Sequence, residues 1–271
     1  MKGTSSFALV TALAPIGPAR YRAAIDASWA QGRGAYGGLV AALLARAIEA
    51  EVPAGQRIAR MTTAFVAPVA VGGAEIEVET VRAGRNVSTL RASVHGPEGL
   101  AATALCTASR DRDHPVSLPA RPRPAAPPPD EVGDGPEELY YPAFSRRFSF
   151  RQCLGPRPFS GASEARVGGW CRLDEEAPLD AALVIAMLDA WPPAAVATSP
   201  GWCPVASLEM TVELLPFPTR PAAGWLFYEA MASRADGGTA DERSALWTED
   251  GVLLASAQQL VALFPPGPRT A

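Results

Sequence analysis

Residues 37–51 read GGLVAALLARAIEAE and residues 181–191 read AALVIAMLDAW. Both stretches are apolar almost all the way round a helical wheel, the pattern of a helix buried on every side. Gly37-Gly38 opens the first. Pro178-Leu179-Asp180 leads into the second, and Pro192-Pro193 must stop it, because proline lacks an amide donor. A helix with so little polar face has to be wrapped by other elements.

The wrapping follows each helix. After the first, strands are predicted over residues 61–69, 74–81, 87–94 and 100–108, with a Gly96-Pro97-Glu98-Gly99 turn. Within 74–81, Glu75, Glu77 and Glu79 alternate with Ile76, Val78 and Thr80, as in a half-buried strand. After the second helix, strands are predicted over 205–215, 225–232, around 245–248, and over 252–264 behind a Glu249-Asp250-Gly251 turn. The halves align: Leu39-Val40 and Leu43-Leu44 face Leu183-Val184 and Met187-Leu188, Pro68 faces Pro216, and Glu98-Gly99 faces Asp250-Gly251. A curled sheet round a helix buries one of its faces, and two such units can share an interface and join sheets. The expected fold is α+β: two tandem units, each a long helix wrapped by a curled antiparallel sheet, fused into a pseudo-dimer.

Between the halves, residues 115–136 carry eight prolines. This segment can hold neither a helix nor a central strand and is expected to be an ordered, irregular connection. Boundaries follow at 1–112 for the first unit, 113–140 for the linker and 141–271 for the second unit.

At 271 residues, 48% hydrophobic and 19% charged, the chain can bury a substantial core. Net charge is −4 with the basic residues scattered, so no nucleic-acid partner is expected. Four cysteines lie far apart without a CxxC, which suits free thiols in a reducing compartment. With two histidines, a Cys/His metal site is disfavoured, and no metal is expected. No apolar run is long enough to span a bilayer, so no membrane partner is expected. Residues 7–16, FALVTALAPI, read as a first strand rather than a signal-peptide core. A cytoplasmic protein is expected, as a homo-oligomer.

Gly32-Arg33-Gly34-Ala35-Tyr36-Gly37 spells G-x-G-x-x-G ahead of a helix. Dinucleotide binding would need a strand just before it and alternating helices after it, and neither pattern is present. The glycines still allow backbone amides at a helix N-terminus to face a ligand, a site suited to developing negative charge.

Two polar residues, Asp189 and Gln259, stand out in the second half, whereas Ser207 by itself reads as an ordinary strand hydroxyl. Asp189 lies late in its helix among apolar neighbours, where its charge opposes the helix dipole. Such a carboxylate has a raised pKa suited to a general base, or it hydrogen-bonds the helix end. Alternation along 205–215 puts Ala206, Leu208, Met210 and Val212 on one face and Ser207, Glu209, Thr211 and Glu213 on the other. Gln259 shares a face with Ala255, Ala257, Val261 and Leu263, and a buried amide needs partners, structural or functional. The adjacent Gln258 points the other way. His95 beside a turn and His114 at the linker look solvated, and no G-x-S-x-G elbow is present.

These residues carry a family resemblance. Met187-Leu188-Asp189, Pro204-Val205-Ala206-Ser207-Leu208 and residues 250–259 (DGVLLASAQQ) resemble the acyl-CoA thioesterase II family and its double-hotdog relatives. The first half resembles the same family at Gly34-Ala35-Tyr36-Gly37-Gly38, Phe65-Val66-Ala67-Pro68-Val69 and residues 82–88 (RAGRNVS). The resemblance implies two hotdog domains, an acyl-CoA substrate, no cofactor, and a water oriented by Asp189, Ser207 and Gln259. Serine at 207 departs from the threonine of the best-known members, keeping the hydroxyl but losing a methyl that restrains the rotamer. Backbone amides near Gly37 and Gly38 would meet the oxyanion. Ala45 stands where the second helix has Asp189, and Ala181-Ala182 where the first has Gly37-Gly38, so one composite site per chain is expected. Arg82 and Arg85 are open as contacts for the nucleotide or as structural ion pairs. The competing readings are a catalytically silent hotdog protein binding acyl-CoA or lipid, and a double-hotdog enoyl-thioester hydratase, which would need His95 in the pocket.

Overall fold

The computed structural model describes residues 6–220 and 224–265. The chain enters through one helical turn, α1 (Phe7–Val10), where the sequence predicts a strand. The Ser6 side chain accepts from the Leu9 amide, and the Thr11 hydroxyl donates to the Phe7 carbonyl at 2.7 Å. Phe7 and Val10, one turn apart, are both buried, whereas alternation would bury only one of them. Next come a hairpin, β1 (Ala14–Gly17) and β2 (Arg20–Ile25), a small one, β3 (Ala30–Gln31) and β4 (Gly34–Ala35), and then the long helix α2 (Gly37–Glu51). The G-x-G-x-x-G stretch is therefore the β3–β4 turn followed by the first residue of α2.

Four long strands follow: β5 (Arg57–Phe65), β6 (Gly72–Arg82), β7 (Val87–Gly96) and β8 (Gly99–Ser109). The second half supplies β9 (Phe148–Leu154), β10 (Arg166–Leu173), helix α3 (Ala181–Leu188), β11 (Val205–Leu214), β12 (Leu226–Asp236), β13 (Thr239–Thr248) and β14 (Leu253–Leu263). Strands β1, β2, β9 and β10 are short, and alternation in β2 and β9 covers only a few residues. Glycines 168 and 169 interrupt β10 at a register shift against β9.

One 12-stranded sheet results, ordered β1-β2-β6-β7-β8-β5-β11-β14-β13-β12-β10-β9, and every pair in it is antiparallel. Read outward from its centre, the two halves have the same order: β5-β8-β7-β6-β2-β1 and β11-β14-β13-β12-β10-β9. This is the hotdog arrangement in duplicate, with a pseudo-two-fold axis between β5 and β11. Thr62 and Thr211 face each other there, their hydroxyls 2.9 Å apart.

The core lies inside the curl. Residues 38–45 of α2 and 182–188 of α3 are buried, and the two helices pack on each other. At their contact the Tyr36 hydroxyl donates to the Ala186 carbonyl, and its ring stacks on Phe144 at 3.8 Å. Asp180 caps α3 by accepting from the Leu183 amide and pairs with Arg46 of α2 at 2.6 Å.

The proline-rich segment is a strap on the outer face of the second half. The Arg121 and Pro127 carbonyls accept from the indole N–H groups of Trp247 and Trp170, at 3.0 and 2.9 Å. The Arg123 guanidinium lies over Trp170 and Phe227. Thus a second apolar cluster, Trp170, Phe227, Ala245 and Trp247, is covered by a segment with no regular structure beyond a short 3-10 turn at Pro129–Glu131. All four cysteines are free thiols, three of them buried. Among the described residues, no helix is long and apolar enough to cross a membrane.

Candidate active site

Asp189 is the C-cap residue of α3, one position past the last helical residue rather than inside the final turn, as the sequence predicts. The chain has to leave helical geometry before Pro192-Pro193. Asp189 thereby sits at the negative end of α3 and meets the positive end of α2. The Gly38 amide donates to its carboxylate.

Close approach of the two helix ends requires glycine. A Cβ on Gly37 would lie 2.8 Å from Asp189 Oδ2, and one on Gly38 would lie 2.7 Å from the Ala186 carbonyl oxygen. The second contact is with backbone, which cannot swing away.

Ser207 and Gln259 complete the cluster. The Ser207 hydroxyl donates to Asp189 Oδ1 at 3.1 Å, and Gln259 Nε2 donates to the same oxygen at 2.5 Å. Gln259 Nε2 also donates to Ser207 Oγ at 2.7 Å. Gln259 is only 4% exposed, whereas Gln258 lies outside and donates to Asp241.

One expectation is overturned. Strict alternation puts Ser207 on the face opposite Met210, yet Ser207 points inward with it. The β11–β14 register shifts between Ser207 and Glu209, so Ser207 pairs with Val261 and Glu209 with Leu260. Leu208 is the extra residue of this bulge and is 37% exposed. One inserted residue reverses the facing of everything before it.

Electrostatics follow from burial. Desolvation pushes the Asp189 carboxyl up to about 6, and the hydrogen bonds from Gln259, Ser207 and the Gly38 amide pull it back. Tyr36 and Tyr228, both buried, lie close enough to interact with it, and Phe65 lies beside Gly37. A second buried carboxyl, Glu242 on β13, lies directly across from Gln259 and is pushed up to about 8, chiefly by desolvation. Sequence reading missed Glu242 because β13 was predicted only around 245–248. The available signal was an acidic residue in period-two register with Leu246.

The pseudo-two-fold axis shows what stands at the equivalent place. The bulge recurs in the first half, where the β5–β8 register shifts between Ile58 and Arg60. Superposing the bulges aligns Ser207 with Ile58, and Gln259, opposite Met210, with Cys106, opposite Met61. Asp189 aligns with Ala45. A polar trio in one half is thus Ala, Ile and Cys in the other.

Other sequence candidates lie elsewhere. His95 on β7 and His114 in the linker are exposed, as are Arg82 and Arg85 near the β6–β7 turn.

The duplicated units make this a double-hotdog protein. Comparison with known families agrees along most of the chain: the acyl-CoA thioesterase N-terminal domain matches residues 25–109 and the acyl-CoA thioesterase C-terminal domain residues 119–263. The chain belongs to the acyl-CoA thioesterase family. Solved structures share the fold. A hot dog-fold conserved protein of unknown function from Alicyclobacillus acidocaldarius superposes with a TM-score of 0.86 at 24% identity, over 98% of this chain and 100% of that one. A Thermobifida fusca YX protein assigned as a thioesterase II gives 0.82 at 22%, over 96% and 97%. The acyl-CoA thioesterase II TesB2 from Mycobacterium marinum gives 0.76 at 20%, over 97% and 100%. No curated protein matches the chain in sequence.

Proposed function

We propose that the protein hydrolyses acyl-CoA thioesters to the free acid and CoA by direct attack of water, at one site formed where units 1–112 and 141–271 meet. The observation that carries this reading is the convergence of Ser207 and Gln259 on the Asp189 carboxylate at the N-terminal end of α2.

In this mechanism a water enters between Asp189 and the substrate carbonyl and is held by Asp189, Ser207 and Gln259. Asp189 takes one proton as the water oxygen bonds to the carbonyl carbon. The resulting oxyanion is met by amide donors at the start of α2. Because the Gly38 amide holds Asp189 in the resting protein, the Gly37 N–H and any rearrangement of Gly38 carry that role. Loss of one oxyanion donor typically costs ~10²–10³-fold in turnover. Collapse of the tetrahedral species breaks the C–S bond, and the proton on Asp189 goes to the departing thiolate. Asp189, Ser207 and Gln259 are the catalytic residues of this proposal, and it requires no metal or covalent intermediate.

The test is release of free thiol from an acyl-CoA length series by the wild type and Asp189→Asn. The variant is expected to lose ~10³-fold or more in kcat at every length that the wild type hydrolyses. Equal rates would remove Asp189 from its role. Binding of acyl-CoA with no thiol release by either protein would make the chain a silent binder.

A further inference from the structure

Gln259 must point its amide nitrogen, not its oxygen, at Asp189 and Ser207, since a carbonyl there would face a carboxylate. Both donors of that nitrogen are then used, and the amide oxygen turns away from the cluster. Glu242 stands directly across the strand pair from Gln259. Both side chains are on the inner face, 2% and 4% exposed, and directly opposed Cβ atoms in such a pair lie about 4.5–5.5 Å apart. From a 3-10 turn at Ala194–Thr198, which packs against β12 and β13, the Ala194 amide donates to Glu242 Oε2 at 2.7 Å and fixes the carboxyl.

We propose that Glu242 is a positioning residue for the hydrolytic site, orienting the Gln259 amide from the facing strand by donating a proton to its carbonyl oxygen. The proposal rests on the thioesterase reading for its kinetic consequence but not for its geometry. Donation requires Glu242 to be a neutral acid. The groups acting on it support that state. Asp189 faces it across the core, Asp241 precedes it on β13, and Tyr228 lies on the inner face of β12; none is a cation. Burial pushes Glu242 up to about 8, so it is protonated at neutral pH. Above that, ionisation removes the donor and sets a second negative charge near Asp189.

Three proteins test this: wild type, Glu242→Gln, which keeps a neutral donor at all pH values, and Glu242→Leu, which keeps bulk but has no donor. Thiol release by the wild type is expected to fall on the alkaline side with an apparent pKa of about 8. Glu242→Gln should retain kcat at neutral pH within about threefold and lose that alkaline fall. Glu242→Leu should lower kcat about tenfold with KM little changed. An alkaline fall that persists in Glu242→Gln, or full kcat in Glu242→Leu, would overturn the proposal. The side-chain amide resonances of Gln259 give a readout independent of turnover. They should titrate near pH 8 in the wild type and not in Glu242→Gln. If they do so in a protein that releases no thiol, the hydrolase reading fails while the positioning role stands; if they do not titrate, the positioning role fails.

Discussion

Asp189 binds its proton more tightly in the folded protein than in the unfolded chain, about 6 against 3.8. Two consequences follow, of opposite sign. If Asp189 is the base, kcat/KM should rise with pH through an apparent pKa of about 6 to a plateau that ends only where Glu242 ionises, at about 8. A pH–rate profile with no acidic limb would count against it. Stability moves the other way. A carboxyl with a raised folded pKa contributes most below its unfolded value, and that contribution is lost as pH rises from 3.8 through about 6. About two pK units amount to about 3 kcal/mol at most. Asp189→Asn cannot ionise, so it should match the wild type in acid and melt several degrees higher above neutrality, measured by thermal unfolding at both pH values. A variant that loses turnover while gaining stability is the signature of a functional group held at a cost. Of this residue chemistry, the raised pKa was legible from an acidic side chain among apolar neighbours. Its partners Ser207 and Gln259 were implied by the family resemblance and not by any local pattern, since each lies on a distant element.

At the scale of elements, the β11 bulge and the α2 start decide whether the residues meet. Removing Leu208 should restore regular β11–β14 pairing and leave Ser207 opposite Val261 on the inner face, since Glu209 alone then separates it from Met210. Ser207→Ala, which keeps the pairing and removes only the hydroxyl, should give a folded protein with circular dichroism like the wild type and kcat reduced ~10-fold or more; unchanged kcat would mean that Ser207 has no part in turnover. Gly38→Ala tests the helix ends. A methyl 2.7 Å from the Ala186 carbonyl must push α2 from α3, with a cost typical of overpacking, ~1–3 kcal/mol, and a larger loss of kcat than of Tm because the Gly38 amide leaves Asp189. Denaturant titration and thiol release measure the two effects. The helices were legible because full burial leaves a continuous apolar run. The bulge was not, because an extra residue leaves the composition of a strand unchanged.

Across the whole molecule, duplication has produced two architectural halves with one polar cluster. The equivalent place holds Ala45, Ile58 and Cys106, so binding of a non-hydrolysable acyl-CoA thioether should saturate at one ligand per chain by calorimetry. Two equal sites would contradict the division of labour between the halves. What the sequence by itself determined was the repeated plan: two buried helices, antiparallel strands behind each, a proline-rich break between them, and two polar residues, Asp189 and Gln259, out of keeping with their neighbours. Those features are local, since burial and backbone freedom are written in periodicity, proline and glycine. Only the tertiary structure decided which way Ser207 faces, that Glu242 lies across from Gln259, that the linker straps the outer sheet, and that the amide end of one helix meets the carboxylate ending the other. Each depends on register or packing between segments remote in the chain, where one residue of slippage reverses a side chain and no local pattern records it.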